Sequence, residues 1–376
     1  MIPYGRQSID TSDIKAADTV LASDWLTQGP KVEEFEKKLA AYCGARFAVV
    51  TANGTAALIA AYRAAGLAAG DEFITTPLTF PATANAGVWL GARPVFVDVE
   101  PETGNIDASQ IESAITPKTK LIAPVDFTGR PCDLELIRDI ATRQKLAVVE
   151  DACQALGASY KGQKIGSISD CTVFSFHPVK SITTGEGGAI LTNSEEKYKR
   201  MKAFVSHGVV KENFVNESHG DWYFEMQDLG LNFRLTDFQC ALGISQLSRI
   251  KKLLERRREI ADRYRVALAS LTSIALPPED DAVRTSAWHL FVIRLQGALV
   301  QRKAAIFHEL RQQGIGVQVH HIPTHLHPYY AKLGYRKGAL PKAERFYEAA
   351  LSLPMYPDLT EQDQKQVVDT VKKVLI

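Results

Sequence analysis

Residues 47–67 read FAVVTANGTAALIAAYRAAGL. Phe47–Val50 is apolar throughout, as a strand buried on both faces must be. Thr51-Ala52-Asn53-Gly54-Thr55 is a turn of small residues, and Thr55–Leu67 carries a helical pattern. The rhythm recurs along the first half. Short apolar runs lie at Glu72–Thr75, Val95–Val99, Leu121–Val125, Ala147–Val149, Thr172–Phe176 and Ala189–Leu191. Helical patterns lie between many of them, at Pro81–Leu90, Leu134–Arg143 and Glu195–Val205, with Asp107 and Asp133 placed as N-caps. Strands alternating with helices imply an α/β fold whose mainly parallel sheet is covered on both faces.

The second half reads differently. Asp237–Ser270 has one long helical period, and its KK and ERRR runs read as a solvated face. A strand at His289–Leu295, a helix at Val300–Gln313, a strand at Gly316–His320 and helices near Ala343–Leu351 and Gln362–Val374 make an α+β end piece. The expected division is a large domain, residues 1–240, and a small C-terminal domain, residues 241–376.

Composition narrows the function. The 376 residues carry 44 Lys+Arg against 43 Asp+Glu, a balance that disfavours nucleic acid or an anionic membrane as partner. The cysteines, Cys43, Cys132, Cys153, Cys171 and Cys240, are scattered and form no C-x-x-C pair, which suits a reducing cytoplasm. MIPYGRQSID has no apolar core of a secretory signal. A cytoplasmic globular enzyme is expected.

In a parallel α/β sheet, ligands bind beyond the carboxyl ends of the strands. After Phe47–Val50, the turn opening a helix offers free N–H groups and a positive dipole end, suited to phosphate. After the Ala147–Val149 strand come Glu150 and Asp151; an acid there can hold a cation or a protonated ring nitrogen. After Thr172–Phe176 the chain runs His177-Pro178-Val179-Lys180 and on to Gly185-Glu186-Gly187-Gly188. A lysine at that lip can attack a carbonyl and form a Schiff base. Singly, these are also an ordinary helix start, an N-cap and a surface lysine. Together they meet the needs of pyridoxal 5'-phosphate: phosphate anchored, ring nitrogen protonated, aldehyde held by an amine. Phe80, after another strand, is placed either to stack on the ring or to fill core.

Four segments, Asn53–Leu58, Glu150–Gly157, Ser175–Gly188 and Gly230–Asp237, resemble the DegT-type sugar-nucleotide aminotransferases, and the resemblance runs over nearly the whole chain. It implies an aspartate-aminotransferase-type fold and these roles: Lys180 as Schiff-base lysine, Asp151 at the ring nitrogen, Gln154 near the ring hydroxyl, and Phe80 stacked on the ring. It further implies Gly54, Thr55 and Ser175 as phosphate ligands. Asn232 would reach the phosphate of the neighbouring subunit, so a homodimer with shared active sites is implied. Some regulators and dehydratases of the family lack the lysine; its presence here favours a transaminase over a non-catalytic sensor.

Met1–Ile9, Ser23–Pro30 and Val317–Pro323 resemble the subfamily of pseudaminic acid biosynthesis. That resemblance implies amination of UDP-2-acetamido-2,6-dideoxy-β-L-arabino-hexos-4-ulose by L-glutamate, which leaves as 2-oxoglutarate; another UDP- or dTDP-4-keto sugar is the alternative. Tyr4, Asp24, Trp25, Leu26, Thr27, His320 and His321 would contact the nucleotide sugar. His321 stands where the subfamily often has Tyr. His320, His321, His325 and His327 also invite a metal, but Pro323 breaks a regular helical face between them. No metal is expected.

Overall fold

The computed structural model describes residues 1–375. Its first half contains β1 (Phe47–Thr51), β2 (Glu72–Thr75), β3 (Arg93–Phe96), β4 (Thr119–Ala123), β5 (Ala147–Asp151), a small β6–β7 hairpin (Ser159–Tyr160 and Gln163–Lys164), β8 (Cys171–Ser175) and β9 (Gly188–Thr192). The central seven-stranded sheet has the order β1-β9-β8-β5-β4-β2-β3. Only β9 runs against its neighbours, so the carboxyl ends of the other strands share one edge with the start of β9. The apolar runs are strands because both faces are covered: Val49, Ile74, Ile122, Val149 and Val173 are fully or almost fully buried.

Helices α1 (Thr11–Leu21), α2 (Pro30–Cys43), α3 (Gly54–Ala64), α4 (Ala82–Trp89), α5 (Leu134–Gln144) and α6 (Glu195–Phe204) surround this sheet. In α3, Ala56 to Tyr62 are all buried; the alanines let it lie close against the strands. Asn53 caps α3 by accepting the Ala56 N–H at 2.9 Å, and Asp133 caps α5 by accepting from Leu136 N–H.

Several sequence expectations need correction. Asp107 precedes a short 3₁₀ turn and caps no backbone N–H; its carboxylate takes Lys342 Nζ at 2.8 Å instead. The long period from Asp237 is two helices, α7 (Asp237–Ser248) and α8 (Ile250–Leu268). Arg249 leaves helical geometry between them, and its guanidinium binds the buried Asp13 carboxylate. The ERRR run is not wholly solvated, because Arg257 is 1% exposed. Gly316–His320 is extended but pairs only at Gln318, against Ser352. The helix expected at Ala343–Leu351 ends at Ala349, and the chain continues as a strand.

Beyond the central sheet, β10 (Val209–Val210) and β11 (Glu225–Met226) form a hairpin. Then β12 (Ile274–Ala275) and β15 (Ala350–Leu353) flank β14 (Phe291–Leu295), while β13 (Arg284–Thr285) joins β6. Helix α8 spans two apolar clusters. Ile250 and Leu253 belong to the cluster under the central sheet; Ile260, Tyr264 and Leu268 belong to the C-terminal one. The amino terminus also enters that second cluster, where Ile2 packs and accepts the Gly316 N–H at 2.7 Å. No helix of the described residues is long and apolar enough to cross a membrane.

Candidate active site

The shared sheet edge gathers the sequence-predicted residues. At the end of β1, Asn53 uses its side chain on Ala56 N–H, so Gly54 and Thr55 N–H lack partners among the described residues. Gly54 is buried beside Ser175, the last residue of β8: a Cβ on Gly54 would sit 3.2 Å from Ser175 Cβ. The first residue of β9 closes the cradle from below. A Cβ on Gly188 would lie 2.6 Å from the Asn53 carbonyl and 2.8 Å from Gly54 N, so only glycine fits there.

Next along the edge, β5 ends at Glu150-Asp151. Alternation along the strand sends these acids to opposite faces. Glu150 is fully buried and accepts from Ser169 and Thr172 hydroxyls; burial pushes its pKa up. Asp151 accepts from Thr83 Oγ1 at 2.6 Å and from Cys153 N–H at 3.1 Å. Thr79 Oγ1 lies 2.6 Å behind Thr83 Oγ1, so α4 and its preceding turn hold Asp151 through two hydroxyls. Gln154 accepts the Thr128 N–H at 2.7 Å, which seats it against the turn after β4.

Lys180 lies in the turn after β8, its N–H bonded to His177 O at 2.9 Å. Burial pushes its amine below the ordinary lysine range; Cys153 and Asp151 oppose that shift, and Arg257 adds to it. Three imidazoles of the C-terminal part are close enough to feel its charge. His289 is 5% exposed, and burial, then Lys180 and Arg257, hold it neutral. His320 Nδ1 meets Ser352 Oγ at 2.8 Å; burial and Lys180 lower its pKa to about 4. His321 touches His320, Phe80 and Phe127 edge-on or tilted, and its Nε2 has no partner among the described residues. Tyr4 packs on His320 with ring centroids 5.4 Å apart. A neutral, aromatic wall thus stands over an amine and a carboxylate.

The remaining predicted residues lie apart from that wall. Asp24, Trp25, Leu26 and Thr27 are all exposed and hang on the start of α7, where Leu26 O accepts the Asp237 N–H at 2.9 Å. Asn232 follows β11 next to the β1 turn, since Phe233 O accepts Ala52 N–H, but its own side chain is exposed. His325 turns away from His320 and His321 to meet Glu344 at 3.0 Å. No group of three or more His, Cys, Asp or Glu side chains could hold a metal ion among the described residues.

Thr83, His289 and Arg257 escaped sequence reasoning. The signal for Arg257 was present: with Leu253, Ile260 and Tyr264 it falls on the apolar stripe of α8, at spacings of four, three and four.

Comparison with known proteins agrees with this geometry. Residues 7–372 match the DegT/DnrJ/EryC1/StrS aminotransferase family. The chain belongs to that family. It is a pyridoxal-phosphate-dependent sugar aminotransferase with the family's fold. Among its relatives, the spore coat polysaccharide biosynthesis protein SpsC of Bacillus subtilis is 40% identical, over 100% of this chain and 97% of that one. The UDP-4-amino-4,6-dideoxy-N-acetyl-beta-L-altrosamine transaminase of Campylobacter jejuni (serotype O:23/36) is 39% identical, over 100% and 98%. The structure of Helicobacter pylori PseC, an aminotransferase of pseudaminic acid biosynthesis, superposes with a TM-score of 0.94 at 34% identity, over 100% and 99%. The residues present fit the family's cofactor: a glycine-lined helix start whose N–H groups lack partners among the described residues, a fixed buried carboxylate, and a lysine in the turn on the same sheet edge.

Proposed function

We propose that this aminotransferase moves the amino group of L-glutamate to C4 of UDP-2-acetamido-2,6-dideoxy-β-L-arabino-hexos-4-ulose. The observation that carries the reading is one sheet edge that brings together the Lys180 turn, the fixed carboxylate of Asp151 and the helix start at Gly54, with the Tyr4, His320 and His321 rings packed on one another nearby. The full-length likeness to the Campylobacter jejuni transaminase supports the substrate.

Bound pyridoxal 5'-phosphate supplies an aldehyde and a ring that stores an electron pair. The chain does the rest. Gly54 and Thr55 N–H with Ser175 Oγ hold the phosphate, Asp151 the ring nitrogen, Gln154 the ring hydroxyl, and Phe80 covers the ring face. Lys180 is both the covalent anchor and the base. Its Nζ takes the α-proton of glutamate, and in the second half-reaction delivers a proton to C4 of the sugar. A lysine whose amine is readily neutral suits that exchange. Tyr4, His320 and His321 line the sugar side, and neutral imidazoles there can bond sugar hydroxyls without attracting a second anion.

The working unit is a homodimer. Trp222, Phe224, Met226 and Leu229 around the β10–β11 hairpin are exposed, as are Trp25 and Leu26. Apolar surface of that extent is covered in a stable assembly. Asn232, beside the same hairpin, then reaches the partner's phosphate, and the segment Asp24–Thr27 the partner's sugar. Five unpaired cysteines support a cytoplasmic setting.

The deciding experiment offers the enzyme a panel of nucleotide-linked 4-keto sugars with glutamate and identifies products by NMR. The proposed sugar should be converted fastest, with 2-oxoglutarate formed in equal amount. Preference for another UDP- or dTDP-4-keto sugar would replace this substrate; His321 in place of the usual tyrosine, and the equal likeness to SpsC, favour that as the second reading.

A further inference from the structure

Arg257 occupies the middle of α8, 1% exposed, and has no carboxylate partner among the described residues. Its guanidinium donates instead to four backbone carbonyls. Nη1 meets Trp288 O and His289 O at 3.3 Å and Met355 O at 3.2 Å; Nη2 meets Val179 O at 3.2 Å. Its Nε is unpaired. Burying a cation without a counter-charge carries a large desolvation cost, so such a group is rarely retained for stability alone.

Where the carbonyls come from gives the arrangement its meaning. Val179 directly precedes Lys180 in the turn after β8. Trp288 and His289 lead into β14, and Met355 follows β15. One side chain thus ties the lysine turn to the C-terminal cluster, from the helix that spans both apolar clusters. Each carbonyl turns its negative end to the guanidinium, but none cancels its full charge.

We infer that Arg257 is a positioning residue for Lys180: held by Val179 O on one side and by Trp288, His289 and Met355 O on the other, its guanidinium clamps the lysine turn to the C-terminal core and sets a buried cation beside that turn. The inference rests on the reading of Lys180 as the reacting amine. Every group facing that amine has a sign. Asp151 favours its ammonium form; burial, and Arg257 to a lesser degree, disfavour it, while burial keeps the Cys153 thiol neutral. His289, His320 and His321 are themselves held neutral and add no charge. Burial is the main influence on that amine, and the cation of Arg257 adds to it in the direction that opposes Asp151. A carboxylate can in this way serve a ring nitrogen without disabling the nearby amine.

The test uses the full-length enzyme loaded with pyridoxamine 5'-phosphate, in which Lys180 is a free amine. Competitive acetylation with acetic anhydride across pH, read by mass spectrometry, titrates Lys180 against the exposed lysines of the same chain. Arg257→Met should raise the proton affinity of Lys180 about tenfold. Arg257→Lys, which keeps the charge, should leave it within about threefold of wild type while amide exchange at Lys180 quickens as the clamp weakens. An unchanged titration in Arg257→Met overturns the inference. Should that variant not fold, Arg257→Lys decides: a tenfold rise despite the retained charge overturns it equally. Lys180→Ala is measured separately. If it still binds pyridoxal 5'-phosphate covalently and turns over, the lysine reading itself fails, whatever Arg257 does.

Discussion

The hydroxyl of Thr83 donates to Asp151 Oδ2 at 2.6 Å, inside the core and 68 residues away in sequence. With Cys153 N–H on the other oxygen, this bond fixes the carboxylate that the cofactor ring must meet. Hydrogen bonds to a charged acceptor are about twice as strong as neutral ones, so the bond holds the carboxylate firmly in place.

Thr83→Val keeps the side-chain shape and removes the donor. It is expected to cost about 2 kcal/mol of stability and to lower turnover about tenfold. Asp151→Asn should retain the cofactor but slow the half-reaction with glutamate by about 100-fold or more. Stopped-flow absorbance of the cofactor measures both. Normal rates in Asp151→Asn would remove its assigned role.

Gly188→Ala tests the phosphate cradle. Its Cβ would press on the Asn53 carbonyl and Gly54 N, both backbone atoms that cannot swing aside. The start of α3 must then shift. Affinity for pyridoxal 5'-phosphate should fall about tenfold or more, with about 1–3 kcal/mol of stability lost to overpacking. Titration of the apoenzyme with cofactor reads the first, urea unfolding the second. Full retention of cofactor affinity would show that the cradle lies elsewhere.

The imidazole wall predicts an acid-side weakness. His320 is held neutral down to about pH 4 in the folded chain, against about 6.5 when unfolded. Between those values the unfolded state binds more protons, so stability falls as pH drops from 6.5 towards 4. His289 and His321, also lowered, act in the same direction. His320→Gln should flatten part of this decline in the urea midpoint. An equally steep decline in the variant would mean that His320 does not titrate in this window.

Shared sites can be detected by complementation. Lys180→Ala and Asn232→Asp should each be inactive alone, the second by setting a carboxylate against the phosphate. After unfolding and refolding together, mixed dimers should restore about one site in four. No recovery, with dimers formed, would place Asn232 in its own subunit's site.

Much of this was legible in the chain. Buried strands such as Phe47–Thr51 and Cys171–Ser175 announce themselves because both faces must be apolar. Asn53-Gly54 and Asp133 mark helix starts through local capping chemistry, which acts within three residues. Asp107 misled because its partner, Lys342, is 235 residues away. The period from Asp237 hid a break at Arg249 because helical spacing continues across a single non-helical residue.

The sequence by itself determined the layered α/β architecture, the strand ends where ligands bind, and the candidacy of Lys180 and Asp151. These follow from periodicity and from what lies next to a strand end, both local properties. Only the tertiary structure decided which polar groups act on them. Thr83 is one threonine among many until α4 packs beside β5. His289 is a strand flank until the fold buries it and brings its carbonyl to Arg257. Arg257 looks like one of three surface arginines until α8 turns it inward, onto the carbonyl that precedes the lysine. The physical reason is common to all three: hydrogen bonding and charge act through space over a few ångströms, and the chain brings distant residues within that range only when it folds.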